Sequence, residues 1–333
     1  MFYARSGITS LQSAAQFIAE SLASAGLAVT SVNGTPATAV PTSFNAITIE
    51  ASTACDPYAG TQPWSIGMSV SDNTLDVAVL PTGNFVNFEA PKVGTAKDEE
   101  QKDTDVLLGY LSRNGYKSNH FVDLEKSWKL VPDLLNDAGE PHVDGEAYPI
   151  SVFISVTNHG IAICVWAESV TNLGTAFSWF CVQRPLSSLG AVLETSPLVC
   201  VFSSGGGVEG NPDVLDADGI QMFTVIEKDI GAATFHKSAV AFGPDSVPVI
   251  NPLQQVALTR ENKVLVFVAQ SYNTARHVFP MQLDMLAYTS ADVLSSGSQQ
   301  NIKFAFSQSQ IPYIALNANG KDQRGMRVLF PKQ

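Results

Sequence analysis

Three strand-forming segments follow one another between residues 150 and 184, and they constrain the fold more than any other feature of the chain. Each is rich in β-branched, aromatic and other apolar residues: 150–156, 161–167 and 176–184. The turn Thr157-Asn158-His159-Gly160 carries an Asn and a Gly, which suit the left-handed backbone of a tight hairpin. Because short turns join antiparallel neighbours, the segments predict a meander that ends before Pro185, a residue that cannot donate to a sheet ladder.

Strand signals continue on both sides of this meander, separated by Gly-, Pro- and Asn-rich connections. The further predicted strands are 44–49, 64–70, 75–80, 198–202, 221–227, 263–270, 303–307 and 327–330. No repeat of 20–50 residues stands out, so a propeller or solenoid is unsupported. Long helical patterns are missing after the N-terminus, which argues against alternating β-α-β units.

The N-terminus carries one clear helix pattern. Its apolar positions recur at helical spacing, namely Leu11, Ala14, Ala15, Ile18, Leu22 and Ala25. Thr9 and Gln12 fit a capping box, and Gly26 follows the last apolar position. We expect this helix to lie on a sheet or on a neighbouring subunit.

The chain divides into three segments by composition. Residues 1–92 hold the helix and the first strands, and residues 149–333 form an antiparallel β domain. Between them, 93–148 begins with the densest charge run, 97–103, and predicts a surface helix ending near Asn114 and then a loop-rich insertion. The predicted fold class is therefore mainly β, an antiparallel meander or sandwich with an N-terminal helix and a small helical insertion. An α+β fold is the fallback, and 1–92 could be continuous with 149–333.

Charge narrows the function classes. Lys and Arg number 19 against 31 Asp and Glu, a net charge of −12, and charged residues make up 15% of the chain. Nucleic-acid binders and proteins on anionic membranes carry basic clusters, which this sequence lacks. The apolar runs are also too short for a membrane span. The first residues do not resemble a signal peptide, so we expect synthesis in a cytoplasm.

Sequence motifs do not indicate a catalytic, metal or cofactor site. Residues 205–210 read G-x-G-x-x-G, but Asn-Pro-Asp follows where a dinucleotide site needs a helix. The acidic stretch 213–219 does not fit an EF-hand. The histidines do not lie at i, i+4, and the four cysteines lack metal-ligand spacing, so we expect reduced cysteines packed in the interior.

Residues 157–166 (TNHGIAICVW) and 177–185 (FSWFCVQRP) carry a resemblance to a known group of proteins. They resemble a phrase of the type T-N-H-G, then V-W, then F-S-W-F-V-V-Q-R-P in virion structural proteins of large, contractile-tailed bacteriophages. The likeness spans about residues 150–187. It implies a non-enzymatic structural subunit of the virion tail, at the baseplate or, less favoured, as a tail terminator or neck subunit. It also implies contact with other tail proteins and with copies of itself, and brings no catalytic residues.

The candidate contact points are the end of the last meander strand, the charge run and the glycine loop. Their residues are Gln183, Arg184, Lys97, Glu99, Glu100, Gly205 and Gly207. Each could equally be solvated surface. Low overall charge suits a chain with large contacts, because charged residues are depleted at interface cores.

A second hypothesis is a carbohydrate-binding or carbohydrate-depolymerising tail protein. Trp166, Phe177, Trp179 and Phe180 lie on neighbouring predicted strands and could form a sugar-stacking face. Exposed, coplanar rings near carboxylates would favour this hypothesis, whereas a buried aromatic cluster would oppose it. A soluble bacterial β-protein unrelated to phages is a third possibility.

Overall fold

Antiparallel strand pairing accounts for most of the structure, a computed structural model. It describes residues 1–70, 74–81, 92–97, 103–108, 116–123, 150–168, 175–184, 186–187, 190–192, 198–203, 220–226, 236–241, 256–258, 265–272, 281–290, 295, 297–302, 310–317 and 326–333. Along the chain these residues form β1 (Phe2–Ile8), α1 (Leu11–Ser24), β2 (Ala28–Val32), β3 (Thr35–Pro36), β4 (Ala46–Glu50), β5 (Trp64–Val70), β6 (Thr74–Pro81), β7 (Lys92–Lys97), β8 (Asp103–Leu108), β9 (Tyr116–Asp123), β10 (Ile150–Val156), β11 (Gly160–Glu168), β12 (Thr175–Gln183), β13 (Leu198–Ser203), β14 (Ile220–Ile226), β15 (His236–Ala241), β16 (Val256–Leu258), β17 (Leu265–Tyr272), β18 (Met281–Ser290), β19 (Gln299–Ile302), β20 (Ile311–Asn317) and β21 (Met326–Pro331).

The strands form three sheets. The largest has the order β1-β10-β11-β12-β13-β14-β15-β17-β18-β21-β20-β19, with β16 beside β17. A second sheet has the order β3-β2-β4-β5-β6-β9, and β7 pairs with β8 alone. Each of these ladders is antiparallel. The mainly β prediction is confirmed, with α1 the single helix of the described residues.

The helix α1 packs between the two larger sheets. It contacts β1 and β10 of the largest sheet and β4, β5 and β6 of the second. Every apolar position of the predicted stripe is buried. The helix is capped one residue later than the sequence predicts: Ser10, not Thr9, is the N-cap, and its Oγ accepts a hydrogen bond from Ser13 N at 3.1 Å. Ser13 occupies the third helical position, so the predicted capping box with Gln12 is wrong.

A hydrophobic core in the described part of the structure joins the first and third segments of the chain. It includes Ile18 and Leu22 from α1, Ile66 from β5, and Ile154 and Phe180 from β10 and β12. The strand β1, which the sequence analysis did not predict, adds to this connection because it pairs with β10. Residues 1–70 and the strands β10, β11 and β12 therefore contribute to one packed interior.

The predicted surface helix beginning in the charge run is wrong. The structure has β7 and β8 there, paired so that Lys97 lies opposite Asp103 and Val93 opposite Leu107. The residues Thr104 and Val106 in β8 are β-branched, a type that favours strands. Opposite charges on facing strand positions also stabilise an antiparallel pair. Residues 98–102 lie outside the described residues.

Candidate functional site

The turn between β10 and β11 is built differently from its prediction. Thr157 N donates to Gly160 O at 2.9 Å, and Thr157 Oγ1 donates to the same oxygen at 3.2 Å. Among the described residues, positive φ angles occur at Asn33 and at several glycines, but not at Asn158 or Gly160. The expected left-handed backbone at this turn is therefore wrong, and Gly160 is already the first residue of β11.

Gly160 is needed for close approach rather than for its φ angle. It lies opposite Gln183 in the β11–β12 ladder. A Cβ on Gly160 would lie 2.5 Å from Gln183 Cβ and 2.6 Å from Val182 O, well inside normal contact distances. The hairpin can therefore approach the end of β12 only with glycine at this position.

We expect Gly160→Ala to lower the free energy of unfolding by about 1–3 kcal/mol, the usual cost of overpacking. Gly60→Ala is the matched control, because no heavy atom lies within 4 Å of the added Cβ and the φ angle there is not left-handed. The control should change stability by less than about 0.5 kcal/mol. Urea denaturation of both variants measures the difference, and equal stabilities would contradict this role of Gly160.

His159 lies in the turn and is buried, with 7% of its surface exposed. Its Nδ1 is 2.8 Å from Asn158 Oδ1, and its Nε2 is 2.8 Å from Asp284 Oδ1 on β18. Asp284 is 3% exposed. The turn and β18 are therefore joined by a buried His–Asp pair across 125 positions of sequence.

Gln183 and Tyr313 complete the surroundings of Asp284. Gln183 Nε2 donates to Asp284 Oδ1 at 3.3 Å, and Gln183 Oε1 accepts from Met285 N at 3.1 Å. The Tyr313 hydroxyl on β20 donates to the backbone oxygen of Asp284. All of these residues are buried. Gln183, at the end of β12, thus forms hydrogen bonds with both a side chain and a backbone amide of β18.

Arg184, the next residue, reaches in the other direction to a second carboxylate. Its Nε and Nη2 both lie 3.0 Å from Asp56 Oδ2, and both side chains are fully buried. Asp56 also accepts from Trp64 Nε1 at 3.0 Å and from Tyr58 N at 3.0 Å. Arg184 N donates to His159 O at 2.7 Å. We call His159, Gln183, Arg184, Asp56 and Asp284 the buried polar cluster.

Burial and charge act in opposite directions on the His159 pKa. Desolvation alone lowers the pKa of this imidazole, but the charge of Asp284 and its hydrogen bond outweigh desolvation and raise the pKa above its ordinary value. Burial, with a smaller contribution from the Asp284 charge, raises the pKa of Tyr313 well above its ordinary value. Tyr313 is therefore a neutral hydrogen-bond donor near neutral pH.

The contacts of the buried polar cluster join separate parts of the same chain. Both ring nitrogens of His159 are within hydrogen-bond distance of oxygen atoms of the chain itself. Among the described residues, no three His, Cys, Asp or Glu side chains are grouped to hold a metal ion.

The predicted contact residues fall into three sets. Gln183 and Arg184 are both 0% exposed, and the contacts above hold them inside the chain. Their side chains are therefore not available to a partner in this arrangement, because Gln183 is hydrogen-bonded to Asp284 and Arg184 to Asp56. Lys97 ends β7, and Glu99, Glu100, Gly205 and Gly207 lie outside the described residues.

The proposed sugar-stacking aromatics are only partly described. Phe180 is 0% exposed and belongs to the hydrophobic core. In the β11–β12 ladder Trp166 lies opposite Phe177, and Cys164 opposite Trp179. The side chains of Trp166, Phe177 and Trp179 lie outside what the structure describes. The one described ring of the set thus packs inside the protein.

Three cysteines behave as predicted. Cys55, Cys164 and Cys181 are free thiols and buried. Burial raises the pKa of Cys55 to about 12 and that of Cys164 well above its ordinary value, so both are protonated thiols that pack as small apolar groups.

Within the described residues, α1 is too short and not apolar enough to be a membrane-spanning helix.

The acidic members of the buried polar cluster were missed by sequence reasoning. Asp56 is 128 positions from Arg184, and Asp284 is 125 from His159. The sequence signal for this cluster is that the polar residues Thr157, His159 and Gln183 stand next to apolar strand segments.

Comparison with family models, curated proteins and solved structures finds no match to this chain.

Proposed function

We propose that this protein is a non-enzymatic structural subunit of a bacteriophage virion tail, a baseplate component that assembles with other tail proteins and with copies of itself. One observation carries the proposal. Four polar residues of the phage-like phrase, Thr157, His159, Gln183 and Arg184, are buried, and their hydrogen bonds join parts of the same chain. The residues that carry the resemblance thus hold a scaffold together.

Two features of the chain support an assembling scaffold. Charged residues are 15% of the sequence, which suits large protein contacts because interface cores are depleted in charge. The largest sheet also folds back, since β18 contacts both β11 and β12 and β21 contacts β11. On these contacts we propose that it closes as a β-sandwich, a rigid platform for loops that meet neighbouring subunits.

Light scattering on the purified chain, alone and mixed with tail proteins from the same source, tests the proposal. We expect a small species alone and a much larger complex in the mixture. Deleting residues 205–210 then tests the glycine loop, because unchanged assembly would remove it from the contact points.

The same samples discriminate the carbohydrate alternative. A chain that does not assemble and instead binds host surface polysaccharide in a calorimeter would contradict the structural proposal. Assembly at the neck rather than the baseplate would be visible in the identity of the partners in the complex.

A further inference from the structure

The protonation state of His159 follows from its two neighbours. A neutral imidazole has one N–H and one lone pair, whereas an imidazolium has two N–H donors. Here both ring nitrogens face oxygen acceptors at 2.8 Å, the amide oxygen of Asn158 and the carboxylate of Asp284. A neutral ring would place a lone pair against one of these oxygens.

We infer that His159 is an imidazolium in the folded protein and that it acts as a pH-dependent latch between the turn at residues 157–159 and β18. The inference does not depend on a role in a virion. The latch holds where the ring carries both protons and weakens when one of them is lost as the pH rises.

Among the described residues around the latch, no other cation replaces the histidine. Arg184, which follows β12, directs its guanidinium at Asp56. Gln183 is neutral, and Tyr313 and Cys181 enter as uncharged side chains from β20 and β12. Proton loss from His159 would remove the positive charge beside the buried Asp284 carboxylate, which keeps the hydrogen bond from Gln183 Nε2 at 3.3 Å. A buried carboxylate that loses a charged partner is strongly destabilised.

The sign of the pH effect follows from the direction of the His159 pKa, which is raised in the folded chain. The folded state therefore holds this proton more tightly than the unfolded state does. The added stability is fully present below the unfolded value of about 6.5. It is lost as the pH rises through the folded-state pKa, with a change in the folding equilibrium constant of up to about tenfold per pH unit.

Ring ¹⁵N NMR of the full-length chain is the direct test, with His159 assigned by comparison with H159Q. We expect two protonated ring nitrogens on His159 at pH 6.5 and a titration midpoint above that value. A ring with one protonated nitrogen at pH 6.5 would overturn the inference. If H159Q fails to fold, the His159 signals of the wild-type chain are instead assigned as those that shift in N158A and N158D, because Asn158 contacts the His159 ring.

Asn158 offers a matched pair of variants, since it is exposed and contacts the ring through its amide oxygen. Asn158→Asp adds a second carboxylate and should raise the midpoint, whereas Asn158→Ala removes an acceptor and should lower it. Urea denaturation between pH 5.5 and 9 should show the same order in the pH at which stability begins to fall. Midpoints that coincide for the two variants would contradict the latch.

Discussion

Arg184→Met is expected to lower the free energy of unfolding by about 3–5 kcal/mol, because it removes one partner of a fully buried ion pair. The Asp56 carboxylate would keep its hydrogen bonds from Trp64 Nε1 and Tyr58 N but lose the guanidinium that balances its charge. Asp56 and Tyr58 come from the loop between β4 and β5. The loss would therefore weaken the junction between the two larger sheets. Urea denaturation at pH 7 measures it.

Two comparisons make this measurement specific. Arg5→Met removes an exposed arginine from β1 and should change stability by less than about 0.5 kcal/mol. The double variant Arg184→Met with Asp56→Asn should lose less than the sum of the two single variants, because it removes both charges of one pair. A loss below about 1 kcal/mol for Arg184→Met would show that the pair is not buried as described.

Phe180→Ala is expected to cost about 3–5 kcal/mol, as for a large aromatic side chain removed from a packed core. Phe180 is 0% exposed and lies in β12 opposite Ile163 of β11 and Phe202 of β13. The remaining cavity would lie among strands that the rest of the chain holds in place. Thermal or urea unfolding of the purified variant measures the cost.

This experiment also separates the structural proposal from the carbohydrate alternative at one position. Tyr3→Ala, a half-buried aromatic residue on the edge strand β1, should cost less than Phe180→Ala. A Phe180→Ala variant with wild-type stability but weakened polysaccharide binding would contradict the core assignment and favour a sugar-stacking face.

The sequence predicted best those elements whose residues repeat locally. The stripe of α1 follows from helical spacing, and β5 and β10 match their predicted bounds because their apolar residues are bracketed by turns. The strand β1 was missed because its polar residues Arg5 and Ser6 are exposed at the edge of a sheet. The strand β1 forms because it pairs with β10, a distant segment that the local sequence of β1 does not reveal.

The buried polar cluster was harder to predict for the same physical reason. Buried polar groups need hydrogen-bond partners and buried charges need opposite charges, and the partners of His159 and Arg184 are both aspartates. Which of the 31 acidic residues would supply them depends on long-range topology. Asp56 lies in a loop far upstream, and Asp284 is on a strand that reaches β12 only through the folding back of the sheet.

The most direct test of the proposed function is quantitative mass spectrometry of purified virus particles from the source of this chain, combined with electron microscopy of particles lacking it. The proposal predicts that the chain is present at a fixed copy number per particle and that its loss leaves tails incomplete at the baseplate, with restoration by the wild-type chain. Particles that are intact and infectious without the chain, and from which it is absent, would contradict the proposal.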